Sequence, residues 1–312
     1  MHSFHAWRDG VRRVASAPAV VALVWLATTL VSVPLTLAIR GDIERTLHGS
    51  LAATAAARGV NYEWMQEFAS SATGLASTFR PTILGFAAVL DNLSAFVDNV
   101  QRPTAIAAAA GVYVLLWTFL TGGVIDRYAS DRRTTRVGEF SRACGRYFFR
   151  FVRLEIATAF AYGLLFGVLH RWMFGSVYPR LVEGVTFERT AFLIRAAFYL
   201  VFVVLLAAVN LVFDFAKVRA VVEDRRSMLV ALAASWRFIR RRAAAAIGVY
   251  LLDAITFAIV LTAYSYVAPP GGGTGITVWA AFLIGQAYIV GRLSVRLLFF
   301  ASETALFQGG HD

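Results

Sequence analysis

The stretch VVEDRRSMLVALAASWRFIRRRAAAAIGVYLLDAITFAIV, residues 221–260, joins a highly charged segment to a long apolar one. Eight charged side chains lie between Glu223 and Arg242, and the run that follows from Ala243 contains a single charge, Asp253. A helix of about 20 apolar residues crosses the ~30 Å hydrocarbon core of a bilayer. The stretch therefore predicts a basic amphipathic helix followed directly by a membrane span.

The whole chain has the composition of a membrane protein. Hydrophobic residues make up 58% and charged residues 16% of its 312 residues, with a mean hydropathy of +0.63, whereas soluble domains are about half apolar and a quarter charged. The net charge of +11 fits nucleic acid, anionic lipid or cytoplasmic loops of a membrane protein. The single cysteine, Cys144, excludes an intramolecular disulfide and a multi-cysteine metal site.

Six apolar runs predict an all-α, polytopic transmembrane helical bundle that forms one integral membrane domain. The first run exceeds the 7–15 apolar residues of a secretory signal, so we expect it to remain as a span. The mixed-charge segment 40–103 is predicted to be extracytoplasmic and helical, with a helix that starts near Pro81 and lies on the outer interface or over the bundle. The predicted spans are approximately 17–39, 104–125, 152–174, 190–214, 243–267 and 276–299.

The arginines predict the orientation of these spans. They concentrate before the first span and in the loops 126–151 and 215–242, whereas 175–189 holds two arginines and 268–275 holds no charge. The positive-inside rule places such basic loops in the cytoplasm. We therefore expect a bacterial cytoplasmic (inner) membrane protein with both termini cytoplasmic.

Two segments resemble each other closely enough to indicate a repeat. Residues 125–153 and 213–242 each begin near an aspartate, contain Asp-Arg-Arg at 131–133 and 224–226, and run through an amphipathic stretch into a basic aromatic cluster. The N-terminal WRDGVRR, 7–13, echoes WRFIRRR, 236–242. The pattern predicts three hairpins, each preceded by an interfacial amphipathic helix.

The arginines of these amphipathic helices are predicted to contact anionic lipid headgroups. The alternative is a solvated helix that packs only on its own bundle. We expect no nucleic-acid binding. The candidate lipid contacts are Arg142, Arg146, Arg150, Arg237, Arg240 and Arg241.

Hairpins introduced by segments such as DRRSMLVALAASWRFIRRR, 224–242, resemble a broad group of largely uncharacterised bacterial six-helix integral membrane proteins. They look like the membrane domain found beside some glycerophosphodiester phosphodiesterase catalytic domains. The residues after the predicted sixth span, ASETALFQGGHD, leave no room for such a catalytic domain. The resemblance therefore implies a fold and supplies no catalytic residues.

Ionisable groups at membrane depth are costly, so each is a candidate functional residue. Asp253 is predicted near the bilayer midplane, at about the depth of Arg292, with Arg296 one turn further along the sixth span. One interpretation is a structural ion pair between Asp253 and Arg292. The other makes Asp253 a proton or cation site, together with Tyr250, Thr256, Asn210 and Gln286.

Small residues on the third span form a small-xxx-small pattern. Ala159, Gly163 and Gly167 allow close approach of helices, either within the bundle, which we expect, or across a homodimer face. No catalytic, metal-binding or nucleotide-binding motif is present, so we expect no enzyme activity and no cofactor.

Two functions remain. The first is a non-enzymatic scaffold or accessory component of a membrane assembly or envelope process, with a membrane protein partner or a second copy of the chain. The second is a carrier for a small solute, lipid or ion that uses Asp253. A lipid-modifying enzyme is a third, weaker alternative.

Overall fold

The computed structural model describes residues 2–48, 50–59, 61–80, 85–101, 104–130, 136–269 and 275–309. Over these ranges the regular structure is helical and no strand occurs. Pro81, the Asp131–Arg133 triplet and most of the 268–275 loop lie outside them. The helices, in chain order, are α1 (Ser3–Ala15), α2 (Pro18–Leu47), α3 (Ala52–Arg58), α4 (Tyr62–Ser71), a 3₁₀ turn (Ala76–Thr78), α5 (Gly85–Val97), α6 (Thr104–Ala129), α7 (Val137–Leu164), α8 (Tyr178–Val182), α9 (Glu188–Val222), α10 (Met228–Arg241), α11 (Ala243–Val267) and α12 (Ile276–Gln308).

Six helices in the described part of the chain are long and apolar enough to cross a membrane. Most residues of their apolar segments are not buried inside the protein, which is the arrangement expected when lipid covers the outside. The six are Pro18–Leu47, Ile106–Ala129, Val137–Val182, Glu188–Val222, Ala243–Val267 and Ile276–Gln308.

Five of these helices extend beyond the predicted spans: α6 continues to Ala129 and α9 to Val222. α2 continues to Leu47, and α7 begins at Val137, so the amphipathic stretch and the third span form one continuous helix. That helix continues to Val182 through two π-helical segments, Leu165–His170 and Met173–Val177. α12 continues to Gln308, nine residues past the predicted end, and all residues from Ala301 to Phe307 are buried.

α1 packs against α11 and α12 and closes one end of the bundle. We call this end, which holds α1, α10 and the first half of α7, the basic end. Trp7 Nε1 donates a hydrogen bond to Thr256 Oγ1 at 3.2 Å. Arg13 Nη1 donates to the Tyr128 carbonyl at 2.6 Å and to Gln308 Oε1 at 2.7 Å. The first helix is therefore fastened to α6, α11 and α12.

Glycines permit the closest helix contacts. A Cβ on Gly10 of α1 would stand 2.7 Å from the backbone nitrogen of Ser302, so the two helices touch at the backbone. A Cβ on Gly123 of α6 would stand 2.6 Å from Cys144 Sγ and 2.9 Å from the Phe140 carbonyl oxygen of α7. Substituting either glycine would require neighbouring atoms to move.

The opposite end of the bundle carries residues from the 40–103 segment. Trp64, Met65, Phe68 and Ala76 form a small hydrophobic core of their own. The end of α5 contacts the π-helical part of Val137–Val182: Asn99 Nδ2 donates to the Phe166 carbonyl at 3.1 Å. The predicted helical character of this segment agrees with its described residues.

Candidate functional site

A buried polar cluster lies between α7, α9, α11 and α12. Asp253 of α11 is 0% exposed, and Ser302 Oγ of α12 donates a hydrogen bond to Asp253 Oδ2 at 2.5 Å. Within the described residues, Asp253 Oδ1 has no hydrogen-bond partner. The carboxyl group is thus held at one oxygen, and the other can accept a proton or a ligand.

Glu303, the next residue of α12, is also 0% exposed. In the part of the chain that the structure describes, neither of its carboxyl oxygens has a hydrogen-bond partner. Its electrostatic neighbours include Asp214, Asp253 and Lys217. An unpaired carboxylate removed from water costs roughly several kcal/mol, so Glu303 needs a proton or a cation to remain buried.

Lys217 of α9, the single lysine of the chain, is an electrostatic neighbour of Glu303. Its Nζ lies 2.9 Å from Glu155 Oε1 of α7 and 3.4 Å from Asp214 Oδ1 of α9. One ammonium group therefore serves two carboxylates and leaves Asp253 and Glu303 without an ion-pair partner among the described residues. The cluster holds more acidic than basic groups.

Neutral polar groups connect the cluster across three helices. The Tyr162 hydroxyl of α7 donates a hydrogen bond to Asn210 Oδ1 of α9, and Tyr250 of α11 has Asn210 among its electrostatic neighbours. Tyr250 has Asp214 and Glu303 among its electrostatic neighbours. Asn210, a predicted site residue, thus lies beside the carboxyls in a chain of hydroxyl and amide groups.

The predicted Asp253–Arg292 ion pair is wrong for this structure. Ser302 of α12 lies opposite Asp253. Arg292 precedes Ser302 by ten residues in the same helix, a distance of about 15 Å along the helix axis. Arg292 is exposed on the bundle surface. The guanidinium of Arg296 lies 3.6 Å from the centre of the Trp117 ring and donates to the Tyr113 hydroxyl at 3.4 Å.

Other residues predicted around Asp253 have different partners. Thr256 accepts the hydrogen bond from Trp7, and Gln286 Oε1 accepts one from Trp25 Nε1 at 3.0 Å. These two bonds fasten α1 to α11 and α2 to α12. Tyr250 and Asn210 are therefore the members of the predicted set that belong to the cluster.

The predicted lipid-contacting arginines separate into two groups. Arg146 Nη2 and Arg150 Nη1 each lie 2.7 Å from the Asp224 carboxylate. The hydrogen bond from Arg150, aided by the charge of Arg146, holds the pKa of Asp224 below its ordinary value. Arg142 lines a cavity of about 380 Å³ with Asp126 and Glu139. The exposed members of the set on α10 are Arg237, Arg240 and Arg241.

The small residues of the third span do not pack inside the bundle, contrary to the sequence prediction. Ala159, Gly163 and Gly167 are exposed. A Cβ on Gly163 or Gly167 would meet no atom within 4 Å. Among the described glycines, the close approaches are made by Gly10, Gly122, Gly123 and Gly248, so the pattern on the third span faces outward.

Sequence reasoning missed Glu303, Ser302 and Lys217. Glu303 lies beyond the predicted end of the sixth span, which is residue 299. One signal was available: the stretch LLFFASETALFQ, 297–308, contains no arginine or lysine, unlike the charged segments at the basic end. A segment free of basic residues is compatible with continuation of an apolar helix into the protein interior.

Described residues contain no group of three or more His, Cys, Asp or Glu side chains arranged to hold a metal ion. The six long apolar helices make the chain a multi-pass integral membrane protein. It matches no protein-family model, and comparison with curated proteins and with solved structures gives no significant match. The resemblance to the membrane domain found beside phosphodiesterase domains therefore stays a prediction.

Proposed function

We propose that the protein is a membrane carrier in which Asp253 and Glu303 bind and release protons during transport of a small solute. One observation carries the proposal: two fully buried carboxyl groups on α11 and α12 have three oxygen atoms without hydrogen-bond partners among the described residues. Ionisable side chains in membrane spans are rare because they are costly, and they commonly mark proton or substrate pathways.

The arrangement suits proton exchange. With a proton bound, Glu303 is neutral and can stay buried beneath α1. Loss of that proton leaves a negative charge in a low-dielectric site, which favours entry of water or of a cationic solute. The neighbouring Lys217 keeps its charge paired with Glu155 and Asp214, so it does not neutralise Glu303 by a direct ion pair.

The proposal also includes the orientation of the bundle in the membrane and the sequence repeat that builds its hairpins. The basic end faces the cytoplasm, α10 lies along the inner membrane surface, and the six spans form three hairpins. Support comes from the exposed arginines of α10 and from the sequence likeness of 125–153 to 213–242. In this orientation Glu303 is buried beneath α1 on the cytoplasmic side of a bacterial inner membrane.

The test uses the full chain in proteoliposomes that contain a pH-sensitive dye. A proton gradient is imposed, and amines, carboxylates, sugars and amino acids are supplied outside while internal pH and uptake are recorded. We expect the wild type to couple uptake of one solute class to a pH change. Glu303→Gln and Asp253→Asn should abolish this coupling, because an amide keeps the shape and cannot carry the proton.

A matched control is Glu63→Gln, which removes a carboxylate from an exposed position on α4. All variants are first compared by size-exclusion chromatography to show equal folding. Infrared difference spectra after a pH jump report buried carboxyl groups directly, and the carboxyl bands should disappear in the double variant Asp253→Asn/Glu303→Gln. Unchanged infrared bands in that variant, together with unaltered pH coupling, would overturn the proposal.

A scaffold for a membrane assembly is the second candidate. It is favoured by the exposed basic face of α10 and by the separate small core around Trp64 and Phe68, both of which offer surfaces away from the polar cluster. Mass spectrometry of the protein extracted in native lipid nanodiscs tests it. A protein partner at fixed stoichiometry supports the scaffold, whereas the absence of such a partner favours the carrier that uses Asp253 and Glu303.

A further inference from the structure

A groove of about 620 Å³ runs between α7 and the start of α10 at the basic end. Its lining includes no carboxyl group of the cluster and none of the arginines that the sequence predicted to bind lipid. Its walls come from two short segments, 153–157 of α7 and 226–232 at the beginning of α10. The lining residues are Arg153, Leu154, Ile156, Ala157, Arg226, Ser227, Met228, Leu229 and Leu232.

The polar part of the groove is cationic. Arg153 and Arg226 are both exposed, and no ion pair among the described residues includes either of them. Their neighbours Arg146 and Arg150 differ, because Asp224 holds both of them. The groove therefore presents two guanidinium groups that are ready to bind an anion. Arginine matches phosphate oxygens well because its N–H groups form a planar fork.

The rest of the groove is apolar and opens toward lipid. Ile156 and Leu229 are 67% and 74% exposed, although both are large hydrophobic residues. Ile156 lies on the membrane-spanning helix Val137–Val182, and the exposed Phe160 continues the same surface one turn further along. A ligand that fills the groove would place its anionic end between the arginines and its hydrocarbon along Ile156 and Leu229.

The groove pairs two arginines that have no ion-pair partner among the described residues with an apolar channel that opens sideways to the bilayer. From this pairing we infer that the groove binds one phospholipid with an anionic headgroup. The acyl chain enters from the membrane and the phosphate meets Arg153 and Arg226. A bound lipid of this kind bridges α7 and α10. It therefore tethers α10 at the membrane surface through a defined site as well as through its exposed basic face.

The test measures lipid binding to the full chain in detergent by native mass spectrometry. The probes are dioleoyl phosphatidylglycerol and dioleoyl phosphatidylcholine, which share acyl chains and differ in net charge. The variant Arg153→Gln/Arg226→Gln is compared with Arg237→Gln/Arg241→Gln, which removes the same charge from the exposed face of α10. We expect the first pair to weaken phosphatidylglycerol binding roughly tenfold or more and the control pair to change it less than about twofold.

Three further measurements decide the assignment. Arg153→Lys/Arg226→Lys should retain most of the selectivity for phosphatidylglycerol, because the charge remains and the fold is unaffected. Equal binding of phosphatidylcholine by the wild type, or equal loss in both Gln pairs, overturns the site. Displacement of the lipid by inorganic phosphate at comparable concentration also overturns it, since the hydrocarbon would then contribute nothing.

Discussion

Replacing Gly10 by alanine tests whether the contact between α1 and α12 holds the basic end together. The added Cβ would stand 2.7, 2.8 and 2.9 Å from the backbone nitrogen, Cα and Cβ of Ser302. Ordinary contacts between carbon atoms are about 3.5–4.0 Å, so the two helices must separate by roughly 1 Å. Two of the three atoms belong to the backbone, and they cannot turn aside as a flexible side chain could.

The expected cost follows from two opposing effects. Overpacking of a tight contact destabilises by about 1–3 kcal/mol. Alanine in a helix interior is favoured over glycine by roughly 0.5–1 kcal/mol, which offsets part of the loss. We expect Gly10→Ala to lower the free energy of unfolding by about 1–2 kcal/mol. The displacement should also lengthen the Ser302–Asp253 hydrogen bond, now 2.5 Å.

The assay is unfolding in mixed micelles followed by tryptophan fluorescence, with the rate of tryptic cleavage after Arg12 as a measure of α1 docking. Gly145→Ala is the matched control, because Gly145 is an exposed glycine within α7 and a Cβ there meets no atom within 4 Å. The control should be neutral or slightly stabilising and should leave cleavage unchanged. If Gly10→Ala proves as stable and as protease-resistant as Gly145→Ala, the α1–α12 contact has been misjudged.

Two other predictions concern the acidic turn after α9 and the glycines. The pKa of Asp224 is lowered chiefly by the hydrogen bond from Arg150, so its stabilising contribution is complete above its unfolded pKa, ~3.9, and is lost as pH falls through the lower folded value. Protection against hydrogen exchange at the α7–α10 junction, corrected for the intrinsic exchange rate at each pH, should fall in that acidic window. Asp224→Asn should already show the lower protection at neutral pH, and protection that does not change with acid in the wild type would contradict this. Gly163→Ala should leave the free energy of unfolding unchanged or raise it by about 0.5–1 kcal/mol, because a Cβ there meets no atom within 4 Å. Gly123→Ala should lower the free energy of unfolding by about 1–3 kcal/mol, because its Cβ would overlap α7. The same unfolding assay measures both, and the reverse order would show that the third span packs differently.

The long apolar runs were sufficient to predict the six membrane helices, because a span is a local property of about 20 consecutive residues. The ends of those helices were harder. The predicted sixth span ends at 299, with ASETALFQGGHD, 301–312, outside it, yet residues 300–307 are the most consistently buried part of α12. Their burial depends on α1, which lies far away in the chain and docks on them. A local pattern carries no information about that contact.

The partners of Asp253 show a second limit. Counting residues from the predicted span ends placed Arg292 at its depth, but the register of α11 against α12 is fixed by packing and brings Ser302 opposite instead. Likewise, periodicity indicated which face of α7 carries Arg146 and Arg150. It could not indicate that Asp224, at a positive φ of 47°, turns its carboxylate toward them. Pairings set by tertiary contacts become visible only in the folded chain.

The clamp that Arg13 forms with Tyr128 and Gln308 also orders events in time. α1 leaves the ribosome before the other described helices, whereas its binding surface on α12 is translated about 290 residues later. At about 5–20 residues per second, the first helix waits roughly tens of seconds for its partner. Asp253 is translated 49 residues before Ser302, so its carboxyl group lacks that hydrogen-bond donor for roughly 2–10 seconds. Maturation of the polar cluster is therefore a late, single closing step that joins the two ends of the described chain.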